Sequence, residues 1–457
     1  MSPPATRSCQ VHSFPVWGQG MSAKRTFAGF VAAVLFAVTG AAQEPLLSSD
    51  DSLELFDGRT LEGWVTRDDL DVGQAKWTVE DGVLVGRQGE GKAGGLLTTA
   101  LPYRNFVFSV ETRIDWPFDS GVFLRAGPRD RGLEVTLDWS GDGEIAAVRS
   151  GDLLAHNETA KSVFKKDDWN RVTVRCEGAD AGLRAWLNGT EVMAFALPPG
   201  GSLASTGPIG FQVHGGEDVP DTQAVRFRNV RVRELPEFDP QLFDCDDRGR
   251  LAPTAKGHEI GWRALFDGGA LDAWETSGGE SGVSVKDGLL RFTKEGGGGD
   301  LRTKEDFRDF ELRLDFRLST MCNSGLFLRA ARDGSNPAYS GCEIQILDDF
   351  NWERVTGKEL KDFQFTGGLY GSVPNKKRDA LRPLGHWNSY EVRYVGSRLA
   401  VKLNGETLYD VDTLTVPGKP FGERARTGFI GLQRHAPRAA GPGDFVAFRN
   451  LFVRPLP

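Results

Sequence analysis

Cysteine is scarce in this chain: there are five in 457 residues, and no two form a Cys-x-x-Cys pair. That excludes a sulfur-rich metal module and a miniature fold built on disulfides. Lys and Arg never cluster with interleaved aromatics, and the net charge is −8, so no nucleic-acid partner is expected. Amphipathic helical patterning never runs beyond about two turns. The one conspicuous apolar run, Phe27 to Val38, is too short to span a bilayer well, which argues against an integral membrane protein.

What is abundant is turn chemistry, with 57 glycines and 23 prolines among short alternating runs, the pattern of a β protein. The length calls for two or three domains. At the N-terminus Lys24 and Arg25 precede the apolar run and the small residues Gly40, Ala41 and Ala42 follow it, so residues 1–42 read as an export signal, with Met21 as an alternative start. A secreted or periplasmic chain beginning near Gln43 is expected. Cys9 is then lost and Cys176, Cys245, Cys322 and Cys342 remain. Cys322 and Cys342 stand near the starts of successive candidate strands, and a bridge or two buried thiols both stay open.

The chain is written twice. Leu55-Phe56-Asp57-Gly58 with Trp64 returns as Leu265-Phe266-Asp267-Gly268 with Trp274, and Ser120 to Ala126 returns as Ser324 to Ala330. Gly132-Leu133-Glu134-Val135 answers Gly341-Cys342-Glu343-Ile344. Trp169-Asn170, Leu187-Asn188-Gly189, Ile209 to His214 and Phe227 to Val230 recur in the same order about 200 residues on. Two homologous domains follow, 43–236 and 263–457, with a polar connector at 237–262 that shows neither strand nor helix periodicity. Each copy holds many short strands, and Asn188-Gly189 and Asn404-Gly405 are two-residue hairpin turns. The fold class expected is all-β, two tandem antiparallel β-sandwiches of concanavalin or jelly-roll type.

Strand alternation sorts the polar residues by face. In 325–330 it sends Leu326, Leu328 and Ala330 inward and Phe327 and Arg329 outward. In Gly341 to Asp349, Ile344 and Ile346 face inward and Glu343 and Gln345 outward. In 430–435, Gln433 and His435 face outward beside Gly431. If these strands are neighbours, one face carries Phe327, Arg329, Glu343, Gln345, Gln433 and His435, with hollows at Gly325 and Gly431. Such donors, acceptors and a ring suit a hydroxyl-rich ligand. Singly, Arg329 reads as a surface ion-pair partner, His435 as a structural imidazole, and Trp169 and Trp387 as core. Arg125, Glu134, Gln212 and His214 hold the equivalent slots in the first copy, and that recurrence favours function.

The Leu-Phe-Asp-Gly opening, Ser-Gly-Leu-Phe-Leu-Arg, Glu-Ile-Gln-Ile-Leu-Asp-Asp, Gly-Gly-Leu-Tyr-Gly at 367–371, Trp-Asn-Ser-Tyr-Glu-Val at 387–392 and Ile-Gly-Leu-Gln-Arg-His together resemble the 3-keto-disaccharide hydrolase domain family. The resemblance covers both copies. It implies a concanavalin-like sandwich, an exported protein and action on glycosides oxidised at C3, with a carbohydrate as partner. The first copy departs from it, with Leu137-Asp138-Trp139 for the acidic ending, Thr136 at the slot of Gln345, and Gly151 to Leu154 for Gly-Gly-Leu-Tyr-Gly. The second copy is therefore expected to hold the site.

Glu343 and Asp349 lie roughly 20 Å apart along a regular strand, too far for the carboxyl pair of an ordinary glycosidase. A 3-keto sugar needs less: one base for the acidified C2 proton, an enolate stabiliser, and an acid for the departing oxygen. Glu343 or His435 is the candidate base and Arg329 or a bound cation the stabiliser. Phe327, Gln345, Gln433, Tyr370 and Asp349 are candidate substrate-binding residues, although Asp348 and Asp349 read more readily as residues that shape the following loop. No ligand-spacing motif fixes a divalent cation, and the cofactor stays open. A non-catalytic, lectin-like pair of carbohydrate-binding modules is the other reading.

Overall fold

Period-two alternation bounded by Gly, Asn and Asp turns folds into antiparallel strands throughout the computed structural model. It describes residues 42–457 except position 50 and segments 68–73, 128–131, 139–143, 151–152, 158, 179–181, 197–203, 217–219, 279–281, 294–298, 419–420 and 436–443. The export-signal reading of 1–42 lies outside the described residues save for Ala42, as do Trp139 and Gly151-Asp152. From Ala42 the chain is docked on the first sandwich: Trp186 Nε1 donates to Ala42 O at 2.9 Å, and Glu44 takes Arg171 and Thr173.

Each copy is two sheets closed face to face over one core. In the first, the back sheet runs in the order 190–195, 182–187, 170–177, 106–114, 225–234, 83–87, 76–80, with 53–54 also on 225–234. Its front sheet runs 153–155, 144–150, 133–138, 121–124, 210–213, 95–99, 64–67. In the second, the back sheet is 283–286, 289–293, 444–455, 310–318, 387–395, 398–403, 406–412, with 263–266 on 444–455. The front sheet has five described strands, 274–276, 301–307, 428–432, 323–330 and 342–347. Inward residues of both sheets meet, Leu326, Leu328, Ile344, Ile346 and Leu432 against Phe310, Phe316, Tyr390 and Phe448, as the alternation requires. The Asn-Gly turns have both residues at positive φ, 51° and 82° at Asn404-Gly405, the geometry their residue types favour.

Two readings are corrected, and one left open, the state of Cys322 and Cys342, is settled. The connector is structured: a hairpin of 243–245 with 251–253 and a short helix, Ala255–Glu259, bury Phe243, Leu251 and Trp262 against Phe452. Cys322 and Cys342 are free thiols, because antiparallel pairing sets the starts of successive strands at opposite ends: Asn323 faces Leu347 while Cys342 faces Leu328. Trp169 is half-buried under Arg228 rather than in the core, whereas Trp387 is buried as expected, in a small cluster with Leu289 and Ala447 apart from the main core, its ring under Arg449.

Candidate functional site

The second copy's front sheet is where the copies diverge. In the first, strand 133–138 is covered by a further hairpin, 144–150 and 153–155. In the second, strand Cys342–Leu347 is covered by the non-repetitive segment 348–386. Gln345 exchanges backbone bonds with Gly367 and Gly368, and Tyr370 N donates to Glu343 O. Asp348 holds the base of this segment, accepting from the amides of Met321 (2.7 Å), Phe350 (3.2 Å) and Asn351 (3.1 Å). Asp349 accepts from Thr366 N and Oγ1.

Between segment, short helix Pro337–Ser340 and sheet lies a cleft of about 280 Å³. Its floor is the outer face of the sheet: Glu343, Gln345, Gln433 and, at the rim, His435. Its walls are Tyr339, Tyr370 and Trp352, with Asn323, Asn336 and Gln364. Glu343 lies across Gly325, its register partner being Phe327. A methyl group at 325 would stand 2.3 Å from Glu343 Oε1, so only glycine leaves the hollow the carboxyl fills. Burial pushes the Glu343 carboxyl up to about 8, the charge of Asp300 adds to the rise, and a hydrogen bond from Gln433 partly offsets it. Asp300 is itself held above the usual range by burial, against the amide of Arg434 and the His435 imidazole. Gln345 Oε1 is taken up by Ile346 N, so what this side chain has left to offer a ligand is its NH₂. Asn323 Oδ1 is buried without a hydrogen-bond partner, an acceptor suited to a hydroxyl.

Not all the expected residues meet there. Glu343, Gln345, Gln433, His435 and Tyr370 do. Arg329 does not. The strand bulges between Phe327, opposite Gly431, and Ala330, opposite Phe429, so two residues face one and the alternation reverses. Arg329 sits in the bulge at φ 51° and turns away, over the Tyr394 ring and onto Asp309 Oδ1 (2.9 Å) and the carbonyls of Gly396 and Tyr394. Arg125 at φ 50° does the same in the first copy, donating to the carbonyls of Arg104 and Gly178. The recurrence of this arginine is thus structural. Phe327 is buried beneath the floor with Phe429 and Ala338, and the hollow at Gly431 is filled by those two phenylalanine rings, so Phe327 is no stacking platform. Asp349 is not in the cleft but behind it, its carboxyl raised to about 7 by burial despite the Thr366 bonds. It shapes the loop.

Sequence reasoning missed Asn323, Asn336, Tyr339, Trp352, Gln364 and Asp300. Asn323 shares parity with Gly325 and Glu343's partner, so carrying the alternation one step further back reaches it. The others sit in single helical turns or loops, too short for any period to mark them. Among the described residues no group of three or more His, Cys, Asp or Glu is arranged to hold a metal ion.

The first copy keeps only part of this. Glu134 lies over Gly121 in the same manner, and His214 is 3.9 Å from Asp119. Thr136 replaces Gln345 and donates to Ala147 O, and Gln212 Oε1 is buried without a hydrogen-bond partner. By register, the slot of Asp300 is filled by Leu96, since Leu97 faces Phe211 as Leu301 faces Leu432.

Comparison with known proteins agrees with the duplication. A Bacteroides thetaiotaomicron protein named 3-keto-disaccharide hydrolase is 27% identical over 238 residues, 43% of this chain and 79% of its own. A candidate glycosyl hydrolase from Parabacteroides distasonis, known from a crystal structure, is 26% identical with a TM-score of 0.38, covering 45% of this chain and 99% of its own. The carbohydrate binding module CBM66 from Bacillus subtilis is 16% identical with a TM-score of 0.27, over 38% and 96%. The 3-keto-alpha-glucoside-1,2-lyase-like domain is matched twice, at residues 51–233 and 261–454, one match per sandwich, and the chain belongs to that family.

Proposed function

We propose that the cleft of the second sandwich cleaves the glycosidic bond of 3-keto-glycosides, with Glu343 as the general base. The observation that carries this is a single desolvated carboxyl laid in a glycine hollow, with amides around it and a raised proton affinity. Family membership and the named activity of the Bacteroides relative supply the substrate class. Glu343 takes the C2 proton, the C2–H electron pair passes into the enolate of the C3 ketone, and expulsion of the C1–O pair gives a C1=C2 enone. His435, at the rim, gives the departing oxygen its proton. With Arg329 turned away, the Gln345 NH₂ is the donor for the enolate oxygen. Water adding its hydroxyl at C1, its remaining proton going back to His435, and proton return from Glu343 to C2 complete a net hydrolysis. The proposal includes export of the chain, resting on Lys24 to Ala42, which fractionation of expressing cells tests.

Asp300 supports a second reading, in which Glu343 is the raised acid and Asp300 the ionised partner of an ordinary glycosidase pair. Substrate and isotope separate the two. Elimination requires turnover of a 3-keto-disaccharide but not of its unoxidised parent, a rate that rises with pH toward about 8, and slowing by deuterium at C2. Equal turnover of both sugars with no isotope effect would reject the proposal in favour of the pair. Glu343→Gln and His435→Ala are each expected to abolish turnover, and saturable binding without cleavage by the unmodified protein would leave a binding module.

A further inference from the structure

The second sandwich has another outer face, on its back sheet, and a groove of about 450 Å³ runs there between the sheet and the connector. Strands 310–318, 387–395 and 398–403 form its floor, Phe238, Leu242 and Trp262 one wall. Two side chains in it are more than nine-tenths buried and still hold hydrogens without a partner. Trp262 Nε1 has none, and Arg313 has none at Nε or Nη2. The Arg313 guanidinium is steered but not saturated: Nη2 is 3.5 Å from Asp315 and Nη1 is 4.0 Å from Glu391. Buried donors left like this cost the fold free energy, and both belong to side chains that line this one groove from different elements.

From this we infer that the groove binds a neutral oligosaccharide, at a site separate from the cleft. The donors call for acceptor oxygens, while the carboxylates at the rim call for donors, and a hydroxyl supplies both. The charge is already balanced: Arg454 and Arg393 lie on Glu311, and Lys402 is 3.7 Å from Glu391, which leaves no net field for an ionic ligand. A peptide fits less well. Every floor strand is hydrogen-bonded on both sides, so there is no edge to which an extended chain could add. The apolar wall of Phe238 and Leu242 suits the C–H face of a pyranose ring.

Calorimetric titration of the full chain with maltotetraose, cellotetraose and laminaritetraose tests this, beside a heparin tetrasaccharide and a tetrapeptide mixture as contrasts. At least one neutral tetrasaccharide should bind saturably, and Trp262→Phe or Arg313→Met should weaken it about tenfold each, the loss of one buried hydrogen bond. Neither change should alter turnover of a 3-keto-disaccharide, so failure of this inference and failure of the cleft proposal are distinguishable. Should either variant fold poorly, hydrogen exchange on the unmutated chain replaces it, with protection expected at 237–243 and 391–402. No neutral sugar bound up to about 10 mM, stronger binding of the sulfated sugar or the peptides, or binding that survives both groove changes, overturns it.

Discussion

Glu343 concentrates the cost of the site in one side chain. Its carboxyl is raised from an ordinary 4.5 to about 8, so between those values the folded protein binds a proton that the unfolded chain has released. Folding stability then falls as pH rises, by about 1.4 kcal/mol per pH unit for this group, and levels off above about 8. Glu343→Gln removes the slope. Its melting temperature should match the unmodified protein near pH 4.5 and exceed it by a margin that grows to pH 8, as scanning calorimetry would show; parallel profiles would mean that the carboxyl is not desolvated. Asp349, raised to about 7, contributes the same slope to both proteins and cancels. Gly325 gives an independent handle. Alanine there puts a methyl 2.3 Å from Oε1 and 2.9 Å from Cδ, and the carboxyl must leave its hollow. Turnover should drop about 10²-fold or more in Gly325→Ala, with the sandwich intact, and wild-type kcat would show that the hollow does not position the base.

At the level of elements, the regular strands were legible and the irregular backbone was not. Period two placed Ile344 and Ile346 inside and Glu343, Gln345 and Gln433 on the outer face, and the Asn-Gly turns fell where the dipeptides stand. The same rule failed at Arg329, because one bulged residue reverses every face beyond it and leaves no mark in composition. Recurrence misled there too, since Arg125 and Arg329 repeat for a structural reason. The wall of the cleft escaped because Tyr339, Trp352 and Gln364 belong to helices of a turn or so, whose positions are set by what they cover. Asp348 is the anchor of that wall, fully buried and accepting three backbone amides. Asp348→Ala strands those amides, at a cost of about 3 kcal/mol. Segment 348–386 should become sensitive to limited proteolysis, and KM should rise severalfold with a smaller change in kcat, because in the proposed reaction the segment's Tyr370 and Gln364 only line the cleft in which Glu343 is the base. An unchanged KM would separate the segment from substrate binding.

The two copies in the whole molecule are built unequally. Leu96 for Asp300 and Thr136 for Gln345 leave the first sandwich without the electrostatics of the cleft, so Glu134→Gln should leave turnover of a 3-keto-disaccharide within about twofold. Its structural contribution is a buried charge at the junction. Glu234, at the end of strand 225–234, accepts from Trp387 N at 3.0 Å and Arg382 Nη1 at 3.2 Å, with His386 Nδ1 3.3 Å away. Burial raises its carboxyl, but the His386 bond, the Arg382 charge and the Trp387 amide outweigh it, and the net shift is downward. A lowered folded value means that the stabilisation is present above the unfolded value of about 4.5 and is lost as pH falls through the folded one. Glu234→Ala leaves the buried Trp387 amide without its acceptor and takes the carboxylate from Arg382 and His386, a loss of about 3 kcal/mol. Its melting temperature should therefore lie below that of the unmodified protein at pH 7, with the gap closing as the pH falls below about 4. A gap that stays constant into acid would mean that Glu234 acts at the junction through packing alone, and that its charge does not hold the two sandwiches together.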